Sequence, residues 1–596
     1  MAVKVEQLIT QHLDLWTQAQ TAKSTAGRGS NNKIELTGIK KLRELILELA
    51  VRGKLVPQDP NDEPANELLK RIATEKEALV KAGKLKKQKP FLPISDEEKP
   101  FELPVGWEWS RLGSLGWLTS SSRVHQKDWT STGIPFYRTR EIVSLCKFGS
   151  VENELFISEE LYQTLTETGT TPETNDVMLT GVGTIGVPYL VNQQDKFYFK
   201  DASVLIFKNV YNIEPEFFLH FFKSPTWIEQ IHNGSMGTTV HTLTIARGTE
   251  VLVPVPPITE QHAISVKIEE LMALCDQLEQ QSYQSIDAHN QLVDALLATL
   301  TQSHNAEELA SNWQRLAAHF DTLFTTEYSI NALKQSILQL AVMGKLCKQD
   351  PNDEPASELL KRIAFEKDAL VKAGKIKKQK PLPPISDEEK PFELPEGWEW
   401  CRLGDLAAFQ KGYAFKSENY LDSGVMITKI QNLTDNHIQN SVYIAPETVA
   451  EFDQYLLSEG DIVMTTVGSW FSAPLSAVGR TFMIRKLFDN SLLNQNAVKL
   501  RAWKGITPSL LLANLRSLSF KNYLFIEAQG TANQASITQE SIKKFLLCLP
   551  PENEQNRIIS KLDELMIICD ALSGMIDTSK HSQSVLADAL VEQVVA

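Results

Sequence analysis

The sequence predicts an α+β fold arranged as an internal pseudo-two-fold repeat, in which two variable domains sit in a common frame and are joined by long helices. Three observations carry that reading. The stretch from Asp59 to Gly113 returns from Asp350 to Gly404 at a constant offset of 291, without a gap and nearly unchanged. A second block, PPITEQHAISVKIEELMALCDQL from Pro256, returns as PPENEQNRIISKLDELMIICDAL from Pro550, at an offset of 294. Between the blocks the copies keep only a skeleton: NDVMLTGVGT from Asn175 matches GDIVMTTVGS from Gly460, and GTTVHTLT from Gly237 aligns with GTANQASIT from Gly530. Self-similarity at a fixed period marks repeated architecture. A preserved frame around divergent inserts suits one fold presented twice to two different targets.

In chain order the reading gives a helical region at 1–58, a helical arm and linker at 59–104, and the first variable domain at 105–257. A central helical region at 258–349 follows, then the second arm at 350–395, the second variable domain at 396–551, and a C-terminal helix at 552–596. The copies are related circularly. HLDLW at His12 resembles HFDTLF at His319, and LRELILELAVRGKL at Leu42 resembles LKQSILQLAVMGKL at Leu333. The long helix that would precede residue 1 in a strict repeat is the one at the C-terminus.

The long helices are read from spacing. After Pro256-Pro257 apolar residues fall at Ile264, Ile268, Leu271, Cys275 and Leu278, a heptad seam. The same seam recurs at Ile558, Leu562, Leu565, Cys569 and Leu572, and both helices continue, through Val293, Leu296 and Leu300 and through Ile576, Leu586 and Leu590. Two matched seams are expected to pair. A helix over 262–300 rises about 58 Å at roughly 1.5 Å per residue, the length of roughly 17 base pairs.

Composition limits the function classes. A chain of 596 residues with 42% hydrophobic content can build several cores. No stretch approaches the roughly 18 apolar residues a membrane helix needs, and the start, MAVKVEQLITQHLDLW, lacks the pattern of a signal peptide. A cytoplasmic address is the expectation. The six cysteines, Cys146, Cys275, Cys347, Cys401, Cys548 and Cys569, form no CxxC or Cys/His cluster, so buried thiols are expected rather than a metal site or disulfides. No Walker loop, GxSxG elbow, HExxH pair or adenine-clamping NPPY-type tetrapeptide is found. GVGTIG at Gly181 has GxGxxG spacing, but the second copy does not keep its glycines and no acid follows about 20 residues on. No catalytic residue, cofactor or metal site is assigned.

At ELPVGWEWSRLG and ELPEGWEWCRLG, each opening a variable segment, and at PPxxEQ, each closing one ahead of a heptad helix, the sequence resembles the specificity subunit of type I restriction–modification enzymes. The likeness covers nearly the whole chain, although the long acidic-basic arm is less general in that family. The resemblance implies that the variable segments are target-recognition domains of mixed α/β character and that each reads one half of a bipartite DNA site. It further implies that the helices form an antiparallel coiled coil fixing the spacer. Partners follow: two methyltransferase subunits and two ATP-driven motor-nuclease subunits, which would use S-adenosylmethionine, ATP and Mg and would methylate adenine or cleave. The competing reading from another class is a coiled-coil scaffold with two protein-binding domains.

Base readout needs side chains that place paired donors and acceptors on base edges. In the first domain IPFYRTREI supplies Tyr137, Arg138, Thr139 and Arg140, and further candidates are Thr180, Thr184, Gly237, Thr238, Thr239 and His241. The equivalent VMITKIQNL of the second supplies Thr428, Lys429, Gln431 and Asn432. Lys411, Tyr413, Lys416, Ser469, Trp470, Asn494, Gln495, Asn496, Gln529, Thr531, Asn533 and Gln534 add to it. Charge opposes an unaided grip on phosphates: the chain has a formal net charge of −14, and Gly116 to Glu250 holds 10 Lys and Arg against 15 Asp and Glu. That balance suits a subunit that supplies specificity while partners supply backbone contacts. The basic tract from Lys84 to Lys89 and its copy from Lys375 are read as solvated helix ends.

Overall fold

A computed structural model describes residues 3–22, 34–83, 89–211, 213–233, 241–304, 306–378, 380–439, 441–469, 478–531 and 534–596. They fall into two compact units, one built from the N-terminal residues to Gln284 plus Lys580–Ala596, the other from Ser285–Ser579. Each unit therefore contains the first part of one long helix and the last part of the other, Ile258–Gln302 and Glu552–Val595. Opposite ends brought into one unit give the two helices the antiparallel sense.

The first unit's variable domain is built on a four-stranded antiparallel sheet in the order Trp117–Ser120, Val204–Lys208, Val177–Thr180, Pro188–Leu190. Its central strands are apolar runs because both faces are covered, and the period of two sorts their side chains. Val177, Leu179, Leu205 and Phe207 enter one core with the helices Pro215–Phe221 and Pro225–His232, while Met178, Val204 and Ile206 enter another with Ile142 and Leu145 of the helix Thr139–Phe148. The second unit repeats this in the order Ala407–Lys411, Ala497–Ala502, Ile462–Thr465, Thr481–Met483. Ile462, Met464, Val498 and Leu500 face one core, Val463 and Ala497 the other. Lys499, on the Ala497 face, stands where the first domain has Ile206, and its Nζ donates to the carbonyls of Gln454 (3.0 Å) and Leu456 (2.6 Å).

The repeated motifs have a mechanical explanation. GWEW forms a strand, Glu108–Arg111, that pairs antiparallel with Leu252–Val255, so the entry and exit of the variable domain are zipped together; Glu399–Arg402 and Leu546–Leu549 do the same. Trp107 Nε1 donates to Glu260 Oε2 at 2.9 Å and Gln58 Nε2 to Glu260 Oε1 at 3.1 Å. In the copy Trp398 and Gln349 meet Glu554 at 2.9 and 3.2 Å. The acid of PPxxEQ thus ties the opening strand to the start of the long helix. Gly53 and Gly344 precede these clamps with φ of 65° and 71°, and a Cβ there would come within 2.5 Å of Pro104 and 2.7 Å of Pro395. Only glycine fits that turn. The matched skeleton is equally structural: Asn175 and Gly460 take positive φ of 73° and 86°. The next residues, Asp176 and Asp461, are buried carboxylates paired with Lys208 and Arg501, each at 2.7 Å.

The heptad seams are buried except at Leu278, Leu565 and Leu572, which are half-buried, but pairing of one seam on the other is too simple. Ile558, Leu562 and Cys569 share a core with Leu333, Ile337 and Leu340 of the helix Glu327–Val342 and with Val293, Leu297 and Leu300 of the other long helix. The seam is filled within its unit by two helices. In the first unit Ile264, Ile268, Leu271 and Cys275 are buried. Arg43 of the helix Thr37–Val51 reaches Asp276 and Glu279 there, each at 2.6 Å. Lys41 on the same helix bonds the Ser584 carbonyl at 3.1 Å, near the C-terminus. Leu586 is exposed and Ala587 takes the buried place. Four cysteines are buried thiols, whereas Cys146 and Cys347 are half-buried; all six are free. Among the described residues no helix is long and apolar enough to cross a membrane.

Candidate nucleic-acid interface

Both variable domains present the same strand-to-helix junction. In the first, Ile134–Tyr137 leads through Arg138 into the helix Thr139–Phe148, and the Arg138 backbone N–H donates to Glu141 Oε2 at 2.9 Å. In the second, Val425–Thr428 leads through Lys429 into Ile430–Asp435, and the Lys429 N–H donates to Asn432 Oδ1 at 3.1 Å. Each is a first-turn residue reaching back to cap the helix start. Glu141 is wholly buried and gathers both arginines, Arg138 Nη2 at 2.8 Å and Arg140 Nε at 3.1 Å. Burial opposes ionisation of Glu141, but the bonds from Arg138 win and hold its carboxyl below the ordinary value. Arg140 also reaches Glu154 at 3.0 Å and remains exposed.

These junctions lie at one end of each four-stranded sheet. The Lys200 N–H donates to the Tyr137 carbonyl at 2.8 Å, Thr139 Oγ1 to the Ser203 carbonyl at 3.0 Å, and the Gly181 N–H to the same carbonyl at 2.8 Å. The Gly183 N–H reaches the His241 carbonyl at 3.3 Å, which adds Thr184 and His241, both exposed, to this end. In the second domain the Asn494 N–H donates to the Thr428 carbonyl at 3.1 Å and the Thr466 N–H to the Asn496 carbonyl at 2.9 Å. Tyr413 bridges to Asn494, its ring packed 5.0 to 5.2 Å from Phe415, Phe452 and Tyr455. Gln431, Gln495, Asn496, Lys411 and Lys416 are exposed, Lys416 near Glu418 at 3.4 Å. Gln534 is exposed on a strand that pairs with Val467–Gly468, Gln529 is exposed on the next strand of that sheet, and Ser469 is half-buried.

Several expected contacts turn inward instead. Thr180 is buried, donating to the Thr184 carbonyl at 2.5 Å and accepting from the Val187 N–H at 2.9 Å. Thr428 is buried against Ser491 Oγ at 2.6 Å, and Asn432 is buried with its amide on Ser441 Oγ at 3.2 Å. These polar groups are consumed holding the junction, so none is free to meet a base edge here. Tyr137 is half-buried with its ring 4.7 Å from Phe197, and burial pushes its hydroxyl up. Gly237, Thr238, Thr239, Trp470 and Asn533 lie outside the described residues, as does the side chain of Thr531.

The structure also adds residues that the sequence did not single out. Ser120 to Arg123 in the first domain occupy the place of Lys411 to Ala414, and Lys200 to Ser203 that of Asn494 to Asn496, with one residue more. A usable signal was present, because both loops sit directly before a central strand, VLIF or AVKL. Charge separates the domains too. The span from Ala407 to Lys544 holds 13 Lys and Arg against 11 Asp and Glu, where Gly116 to Glu250 is acidic. Among the described residues no group of His, Cys, Asp or Glu is placed to hold a metal ion.

Comparison with known proteins decides the family. The model of the type I restriction modification DNA specificity domain matches residues 104–288 and again 395–576. The chain belongs to the type I restriction–modification specificity subunits. The EcoAI specificity subunit of Escherichia coli is 45% identical over the whole of both chains, and the EcoEI specificity subunit of the same organism is 42% identical over 99% of each. Among solved structures, the HsdS subunit from Thermoanaerobacter tengcongensis is 19% identical, with a TM-score of 0.38 over 83% of this chain and 98% of that one. As a specificity subunit the chain is non-catalytic, and its two matched segments fit recognition of a bipartite DNA sequence.

Proposed function

We propose that the first domain reads one half-site through Arg138, Arg140, Thr184, His241 and the flanking loops Ser120–Arg123 and Lys200–Ser203. The second reads the other through Lys429, Gln431, Asn494, Gln495, Asn496, Gln529 and Gln534, with Lys411, Tyr413, Lys416 and Ser469 alongside. The observation that carries this reading is one capped junction built twice with different donors: two arginines in one copy, a lysine and an amide in the other. Arginine suits guanine and an amide suits adenine, so one fold gives two specificities. The long helices set the distance between the half-sites. Two methyltransferase subunits using S-adenosylmethionine, and two motor-nuclease subunits using ATP and Mg, assemble with the chain to methylate adenine or cleave. The acidic balance of the first domain is consistent with leaving much of the phosphate grip to those partners.

Methylome sequencing of cells carrying this subunit with its methyltransferase tests the reading. The expected result is a discontinuous motif with two fixed half-sites and a fixed spacer. Methylation indifferent to sequence, or confined to one continuous motif, overturns it.

A further inference from the structure

Along the edge strand Thr481–Met483 of the second domain lies an open cavity of about 420 Å³, bordered by the end of the helix Ile430–Asp435 and by the helix Pro508–Arg516. Three arginines line it, Arg480, Arg485 and Arg516, and among the described residues no acidic one does. Arg480 lies 5.1 Å over the Phe482 ring, and its Nη1 is buried without a hydrogen-bond partner. Arg516 Nη2 bonds the Thr481 carbonyl at 3.3 Å; desolvation of the guanidinium and the like charge of Arg480 hold its pKa below the ordinary value. Arg501 of the same sheet is paired with Asp461 at 2.7 Å, whereas among the described residues none of these three takes part in an ion pair.

Guanidiniums that line one cavity without a counter-charge, as Arg480 and Arg516 do, repel one another, and the group that relieves them is an anion with several acceptor oxygens. The first domain has the same elements with only one of the three charges. Tyr189 stands opposite Met178 as Phe482 stands opposite Val463, which puts Val187 and Asn192 where the second domain has Arg480 and Arg485. The matched caps Ser224 and Ser517 align Lys223 with Arg516. The trio is therefore no requirement of the fold. Its location also fits, because the Arg480 N–H donates to Thr465 Oγ1 at 2.9 Å and Thr465 adjoins Thr466, which bonds Asn496 at the reading end.

We propose that the Arg480–Arg485–Arg516 cavity binds a backbone phosphate of the DNA beside the half-site read by the second domain. This rests on the DNA-reading function above and adds a fixed anchor that only the second domain possesses. It gives that domain a grip of its own on the duplex and a register against it, because phosphate contacts position while base contacts specify.

The test uses the full chain assembled with its methyltransferase, and reads the dependence of duplex affinity on salt for the wild type, for R480Q/R485Q and for R480K/R485K. Each phosphate neutralised contributes a slope of about 0.9 in log affinity against log salt. The glutamine variant is expected to lower the slope by about 1, to weaken matched and mismatched duplexes alike, and to leave both half-sites unchanged; the lysine variant restores most of the slope. In parallel, inorganic phosphate should protect the wild-type full chain from thermal unfolding and not the glutamine variant. An unchanged slope overturns the proposal. So does lost discrimination at particular bases, which would make the arginines base readers, or lost assembly with the methyltransferase, which would assign the cavity to a partner carboxylate. Protection by phosphate with an unchanged slope assigns it to a free phosphorylated ligand and likewise overturns the proposal. A wild-type complex indifferent to sequence would instead defeat the reading function, while the slope still decides the cavity.

Discussion

Trp398 Nε1 donates to Glu554 Oε2 at 2.9 Å, and Trp107 donates to Glu260 at the same distance in the other half of the chain. Both acids are nearly inaccessible, at 1% and 3% of full exposure, so each accepts its bonds out of reach of water. Removing the acceptor leaves a buried indole N–H unpaired, while Gln58 and Gln349 keep their bonds to the carbonyls of Gly53 and Gly344. Glu260→Ala and Glu554→Ala are each expected to destabilise their unit by about 1–3 kcal/mol, and the glutamine replacements by less. Urea unfolding of the full chain checks this; a variant that unfolds like the wild type would show that the clamp is not under load.

Lys499 gives a pH dependence with a definite sign. Burial pushes its ammonium down to about 8, while the unfolded chain titrates near the ordinary lysine value of about 10.4. Between those limits the unfolded state binds more protons, so this group makes stability rise with pH from about 8 to about 10.4. Its stabilising contribution is full above that window and lost as pH falls through the folded pKa. The rise should amount to about 1–3 kcal/mol and should be missing in Lys499→Ile, the residue type of the first domain at that place. Chemical unfolding of both proteins at pH 7.5 and pH 10 measures it.

Half-site changes should be local. Arg140→Ala is expected to cost about 1–3 kcal/mol of discrimination in the first half-site and nothing in the second, with Gln431→Ala doing the reverse. Binding of the assembled complex to duplexes mismatched in one half at a time separates them. A substitution that blurs both halves equally would mean that the residue grips phosphate.

Four residues inserted near Gln281, an exposed position of the helix Ile258–Gln302, lengthen it by roughly 6 Å. The expected outcome is a longer preferred spacer with both half-sites intact, read by methylome sequencing. An altered half-site would show that the helix does not act as the spacer.

How much was legible in the sequence follows from what each residue is doing. The frame was readable because Trp107, Glu260, Gly53 and their copies serve the same local geometry twice, and identical geometry keeps identical residues. IPFYRTREI and VMITKIQNL do form equivalent strand-to-helix junctions, as their matched positions in the repeat suggested, but the orientation of side chains within them was not readable. Asn432 and Thr428 have the chemistry of base contacts but are spent inside, Asn432 on an N–H that the helix start leaves in need of a partner and Thr428 on Ser491 Oγ. Nothing in a run of letters distinguishes an amide that caps from one that points out. The Arg480–Arg485–Arg516 cluster was invisible for another reason: two members flank an edge strand and the third ends a helix, 31 residues beyond Arg485, and only the packing of that helix beside the strand brings them together.

The zipped strands Glu108–Arg111 with Leu252–Val255, and Glu399–Arg402 with Leu546–Leu549, have a consequence for how new specificities arise. Because the two ends of each variable domain leave side by side, the chain enters and leaves the frame at neighbouring points, to which a few side contacts such as Thr226 on Glu48 and Thr507 on Gln555 are added. Whatever lies between them can be exchanged as a cassette, provided its ends meet the same strand pair and the tryptophan and glutamate close behind it. Genetic shuffling between related chains can then change what is read in one crossover event, with only the few side contacts to the helices that carry it to be matched.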